Sequence, residues 1–459
     1  MTYTAPRSGK SQRPRRLGAG ALVAGALLAL PLGDAQAQQE LGLNVHQSSG
    51  VGLDVTRDAG LGWVRIDFNW LDAQPANGPP DFAVFDALVD AAKGRGLEVL
   101  AVVGYGPAWA SAGDALGDGP MNDVPVDGTY AAFVQASVAH FKDRVTHYEL
   151  WNEPNLEVFF EGTPADYTSR VLVPGAAAVH AECPSCKVVA PGLASIAGEY
   201  DVWLDAALTA AGDQIDIVSG HVYAGFDTAD QTKDDFFDKL EAHRVVSVGG
   251  VVIYEGPLAF REVMAAHGAT QPFWLTETGL EAVYGDEPAE DAQVLFYRHV
   301  LEAMLARPWW TNTIFYEAFD VAGQPYHWGV CLDDPAAPSG YQPKNVLAFL
   351  EHVTSTQPAF GGSGGDCGDG LDNDGDGLVD YPADPDCTSV LDASEAGSGA
   401  GGSGTGGAGA AAGAAGAPAA DETSSGCALG HDRGDGSALA LALACAALAG
   451  LRRVRRRER

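Results

Sequence analysis

Basic side chains are scarce in the body of this 459-residue chain. Residues 38–426 hold 15 Lys plus Arg against 57 Asp plus Glu, a net charge of about −42. Such a surface repels phosphate backbones and anionic headgroups, which argues against nucleic acid and acidic membranes as partners and for neutral substrates. Solubility alone accounts for the same excess. A second Cys/His pair at ligand spacing is also missing. Cys183-Pro-Ser-Cys186 therefore reads as a short structural disulfide before a redox pair or half a zinc site, and Cys331 has no obvious partner. No Gly-x-Gly-x-x-Gly follows the first strand-like segment, which counts against a doubly wound dinucleotide-binding sheet.

What is present suits an exported, multi-part protein. Residues 1–37 have the layout of a signal peptide: Arg7, Lys10, Arg13, Arg15 and Arg16, an apolar run over 17–32, then Ala35-Gln36-Ala37 as a cleavage site. Arg15-Arg16 leaves twin-arginine export open. Residues 38–357 alternate strand-like and helix-like stretches. Strands are expected at 41–46, 63–68, 98–103, 145–151, 187–190, 215–221, 273–277 and 313–316, with amphipathic stretches such as 82–93, 130–141 and 292–305 between them. Eight such repeats predict an α/β fold, a (β/α)8 TIM barrel.

The chemistry-bearing residues stand where two of these strands end. "HYELWNEPN" runs into Glu153, and "PFWLTETGL" into Glu277. Two carboxyls at the C-terminal ends of barrel strands face each other across the mouth. Glycoside hydrolysis needs such a pair, one to protonate the leaving oxygen and one to attack or stabilise the oxocarbenium-like centre. With "ELWNEPN" for the fourth strand, "WLTETG" for the seventh, "GWVRIDFNW" for the second and "VSGHVY" for the sixth, the chain resembles glycoside hydrolase clan A, the retaining (β/α)8 superfamily, and within it family 39 and related polysaccharide-cleaving members. The resemblance implies Glu153 as acid/base, Glu277 as nucleophile, Asn152 on the sugar 2-hydroxyl, and β-linked poly- or oligosaccharides as substrate.

Physical need suggests the rest. Arg65 would keep the nucleophile ionised, with a structural salt bridge to Asp67 as its plainer role. His221 and Tyr223 would donate hydrogen bonds to a carboxylate or a sugar. His46 and Tyr105 are further sugar contacts. "FYEAFD" resembles clan members with a substrate-contacting glutamate, here Glu317. Trp109, Trp151 and Trp328 are candidate stacking faces, whereas Trp63 and Trp274 are expected in the core. No organic cofactor is required. The alternatives are a non-catalytic carbohydrate-binding or adhesion module on the same barrel, and a transglycosylase.

Beyond residue 360 the composition changes. Residues 361–390 form an Asp-rich module bracketed by Cys367 and Cys387, in which Asp372, Asp374, Asp376 and Asp380 occupy positions 1, 3, 5 and 9 of a calcium-loop pattern. It is similar to thrombospondin type 3 and dockerin-like repeats, although position 12 is Ala383 rather than glutamate. An acidic solvated linker is the other reading. Residues 391–426 are a Gly/Ala/Ser spacer. Residues 427–459 carry a small-apolar run at 437–451, short for a membrane span, and an arginine-rich end. This last part resembles myxobacterial sorting tails, which implies processing at Cys427 and attachment to the envelope. The barrel itself is expected to be monomeric.

Overall fold

A computed structural model describes residues 39–48, 50–196, 199–223, 238–248, 251–321 and 323–360, with Cys367 and Cys387. Eight strands close into a parallel barrel: β1 (Glu40–Asn44), β2 (Trp63–Asn69), β3 (Glu98–Gly104), β4 (His147–Leu150), β5 (Lys187–Ala194), β6 (Ile217–His221), β7 (Phe273–Thr278) and β8 (Trp310–Phe315). Strand β8 returns to β1 in the register Glu40 to Asn312. A helix follows each strand. That of Ala83–Lys93 buries Phe85, Leu88, Val89 and Ala92, an i, i+3, i+4, i+7 stripe, and leaves Val84 in solvent.

One apolar shell lies between the strands and the helices. A second, smaller cluster gathers Trp63, Leu100, Val189, Ile217, Trp274 and Ile314 from six strands. His147 stacks on Trp274 with ring centroids 5.0 Å apart and meets Trp63 edge-on at 4.8 Å. Both tryptophans are core, as expected. Gly42 makes room for this layer: a Cβ there would sit 2.6 Å from the Trp63 carbonyl oxygen and 2.7 Å from its Cβ. Two residues further along β2, β4, β6 and β7 the buried side chains turn polar: Arg65, Glu149, Ser219 and Thr276. The apolar layer closes the N-terminal end, and chemistry is left to the other.

Three features depart from the sequence-based expectation, and the cysteine pairing agrees with it. Strand β5 runs on to Ala194 because Pro191-Gly192 forms a register shift between Ala190 and Leu193 instead of ending the strand. Strand β4 stops at Leu150, since Trp151 takes φ +77°. Two antiparallel hairpins, Val245–Val248 with Val251–Glu255 and Cys331–Asp333 with Tyr341–Pro343, lie outside the repeat pattern. Disulfides join Cys183 to Cys186 and Cys367 to Cys387, and Cys331 is a free, buried thiol. The segments expected to be a signal peptide and a spacer, the calcium-loop candidates Asp372, Asp374, Asp376 and Asp380, and Cys427 lie outside the described residues.

Candidate active site

Glu277 reaches the barrel mouth through an irregularity in β7. Leu275 pairs with Gly220 and Glu277 with His221, so three residues of β7 oppose two of β6, and the same extra residue is visible against β8. Strict alternation would point Thr276 inward and Glu277 outward. The bulge brings both to the interior, where Thr276 meets Glu149 and Glu277 meets Arg65. On β4 the same end is reached by backbone torsion: Trp151 at φ +77° and Glu153 at φ +43° redirect the chain, and Glu153 N–H is tied to the Gly192 carbonyl at 3.0 Å.

Arg65, 1% exposed, uses its guanidinium as a three-way fork. Nε donates to Glu149 Oε2 at 2.7 Å, Nη1 to Glu277 Oε1 at 2.6 Å and Nη2 to Asn152 Oδ1 at 2.8 Å. It does not hydrogen-bond Asp67, which pairs with His46 instead. Tyr223 donates its hydroxyl to Glu277 Oε2 at 2.8 Å. His221 Nδ1 lies 2.8 Å from Glu153 Oε1 and 3.5 Å from Glu277 Oε2. One oxygen of each glutamate and a His221 ring nitrogen all fall within 4.8 Å of one another.

The two carboxyls sit in different electrostatic settings. Burial, reinforced by the charge of Glu277, raises Glu153 well above the ordinary carboxylate range. Burial also raises Glu277, but Arg65 and the Tyr223 hydroxyl pull it back. Burial, then the Arg65 charge, holds His221 well below the usual histidine value, so the ring is neutral. Its buried Nε2 has no hydrogen-bond partner. Leaving a lone pair unmatched is cheaper than orphaning an N–H, so the proton belongs on Nδ1, facing the carboxyls. The dyad therefore keeps its proton on Glu153 and its charge on Glu277.

No family model matches the chain, and no curated protein matches it in sequence. Solved structures do match in fold. A family 39 glycoside hydrolase from Bacteroides cellulosilyticus WH2 is 20% identical with a TM-score of 0.50, the match covering 69% of this chain and 64% of that one. A monomeric β-xylosidase from Caulobacter crescentus CB15 is 18% identical with a TM-score of 0.51, over 70% and 68% of the two chains. The fold is that of glycosidase barrels. The chain thus spans about two thirds of these enzymes' length.

Around this centre the other predicted residues divide. His46, at the end of β1, has Nδ1 2.8 Å from Asp67 and Nε2 3.3 Å from Glu317. Burial alone would lower its pKa, but the two carboxylates raise it to about 10, making it a standing cation. Tyr105 takes φ +61°, and burial, then the Asp67 charge, raises its hydroxyl well above the ordinary tyrosine range. The three candidate stacking faces are placed less openly. Trp151 is wholly buried, with its indole N–H on the Phe159 carbonyl, so it offers no face to a ligand. Trp109 donates to the Gln74 carbonyl and meets Trp70 edge-on. Trp328, 3% exposed, packs against Tyr223 and Tyr316 and so backs the tyrosine that holds Glu277.

Glu149 was missed. The signal was in the quoted strand, because a glutamate four residues before another lies mid-strand, where a charge needs a buried partner. A separate exposed group, Asp114, Asp118 and Glu161, is explained locally: Asp114 and Glu161 accept backbone N–H groups of residues 115–119.

Proposed function

We propose that this protein is an exported retaining glycosidase acting on β-linked poly- or oligosaccharides, with Glu277 as nucleophile and Glu153 as general acid/base. The observation that carries the reading is the unequal pair: two buried carboxyls within 4.8 Å at their nearest oxygens, one held by a guanidinium and a phenol, the other by a neutral imidazole. Carboxyls that close suit a covalent intermediate, since an intervening water needs about 6.5–9.5 Å.

In the first step Glu277 attacks the anomeric carbon while Glu153 gives its proton to the departing glycosidic oxygen, leaving an α-linked glycosyl ester on Glu277. Arg65 and Tyr223 stabilise the carboxylate before attack and again as it departs. In the second step Glu153, now ionised, takes a proton from water, which attacks the same carbon and restores the β-configuration. The His221 Nδ1–H, 2.8 Å away, supports that ionised state. Asn152 contributes by orientation. Its Oδ1 is committed to Arg65, so its NH2 is the half left for the sugar 2-hydroxyl. The leader, the calcium loop and the envelope-directed tail belong to the same reading, as delivery and spacing of a monomeric catalytic barrel.

The test uses aryl β-glycosides and a panel of β-glucans, xylans, mannans and galactans, with the products analysed by length. Glu277→Ala, incubated with azide and an activated β-glycoside, is expected to release an α-glycosyl azide. A β-azide, or a folded Glu277→Ala that keeps wild-type activity without azide, would remove Glu277 from the nucleophile role.

A further inference from the structure

Glu149 takes no direct part in the chemistry above, yet every limb of the site returns to it. Its side chain is wholly buried. Oε2 accepts from Arg65 Nε at 2.7 Å, and Oε1 accepts from the Thr276 hydroxyl at 2.8 Å and the Ser219 hydroxyl at 3.0 Å. All three of these partners are donors, each from a different strand. Ser219 Oγ also accepts the Gly192 N–H at 2.9 Å, and the Gly192 carbonyl holds the Glu153 N–H at 3.0 Å. A Cβ on Gly192, φ +60°, would lie 3.0 Å from Glu149 Oε1, so glycine leaves the space that the carboxylate fills. One group thus connects β2, β6 and β7 to both catalytic strands' ends.

We infer that Glu149 is a positioning residue that fixes the Arg65 fork and sets the charge balance between the two catalytic carboxyls. The inference rests on the glycosidase reading. A guanidinium without Glu149 would carry an undivided positive charge toward Glu277, and its Nε would have no acceptor. With Glu149 in place, the guanidinium is shared between that carboxyl group on β4 and the nucleophile on β7. The geometry predicts the direction: Glu149 holds both Glu277 and Glu153 toward higher pKa, in agreement with its contribution to each. The charged and titratable groups facing the network are Arg65 and Asp67 from β2, His46 after β1, Tyr105 after β3, Glu153 from the β4 end, His221 and Tyr223 from the β6 end and Glu277 from β7, and Tyr167 interacts electrostatically with Glu149.

The test compares kcat/KM against pH for wild type, Glu149→Gln and Glu149→Asp on the best aryl β-glycoside of the panel, with thermal melts as folding controls. Glu149→Gln keeps the shape and removes the charge. Both limbs of its profile are expected to move about one unit toward acid, with a fall in kcat rather than a rise in KM. Glu149→Asp keeps the charge and shifts the fork, so kcat falls and the limbs stay. Limbs unmoved in a folded Glu149→Gln, with only the amplitude reduced, would overturn the inference and leave a structural role. Should Glu149→Gln fail to fold, Ser219→Ala, which retains the charge and cuts the link to Gly192, must lower kcat without moving either limb; a moved limb would refute the assignment. Carboxyl titration by 13C NMR of labelled glutamate reads the same shift without turnover. It separates the two claims: a wild type inactive on every glycoside defeats the function reading, whereas unmoved titration midpoints in the glutamine variant defeat this one.

Discussion

Tyr223→Phe isolates one bond at the proposed nucleophile. The hydroxyl donates to Glu277 Oε2 at 2.8 Å, while the ring packs on Tyr316 and Trp328, and the ring survives the substitution. A hydrogen bond to a charged acceptor is worth about 1.5–3 kcal/mol. One pKa unit corresponds to about 1.4 kcal/mol, so losing the donor should raise the Glu277 titration by roughly one to two units. His221 Nδ1, at 3.5 Å from the same oxygen, cannot substitute without leaving Glu153. The acid limb of kcat/KM therefore moves up in pH while the alkaline limb stays within a few tenths. The carboxylate is also the leaving group of the second step, so deglycosylation slows by about tenfold or more and a burst appears with activated substrates. Rates and pre-steady-state traces on an aryl β-glycoside give both readings. An acid limb that stays in place, or moves down, would mean the phenol does not stabilise ionised Glu277, and the division of roles between the two carboxyls would fail with it.

Two further outcomes concern the barrel. His147, stacked on Trp274, has its pKa lowered by burial to about 4, below the unfolded value of 6.5. The unfolded chain binds more protons between those values, so stability present above pH 6.5 is lost as pH falls toward 4, by about 3 kcal/mol before allowing for partial exposure. Denaturant titrations across that range should show His147→Phe with a shallower acid loss than wild type, and an equal slope would contradict the assignment. Gly42→Ala places a methyl against the Trp63 backbone and should cost about 1–3 kcal/mol in the same titrations. A neutral result would mean β1 and β2 can part at that point.

The barrel was legible because its strands and helices carry two different periods, and the carboxyls because each interrupts an apolar strand at its end. What lay hidden depends on departures from those periods. Nothing in "PFWLTETGL" announces that Thr276 and Glu277 share an interior, since alternation says the opposite and only the pairing with β6 and β8 reveals the extra residue. Glu149 was hidden for the complementary reason: its partners, Arg65, Ser219 and Thr276, come from three other strands. Trp151 misled because a tryptophan beside a catalytic residue suits either a platform or a wedge, and burial alone distinguishes them.

Of the five non-glycine residues with positive φ among the described residues, His46, Tyr105, Trp151 and Glu153 stand at the ends of β1, β3 and β4. Each such conformation costs about 1–3 kcal/mol. Bonds found beside them offset that cost: His46 N–H to Asn44 Oδ1, Trp151 N–H to the Val103 carbonyl, Glu153 N–H to the Gly192 carbonyl. The opposite end of the barrel is filled by tryptophans and aliphatic side chains with no such outliers. A regular strand end could present at most every second residue to the mouth. Strained turns and one bulge present Asn152, Glu153 and Glu277 together, so the irregular backbone is the means by which eight regular strands converge on two carboxyls.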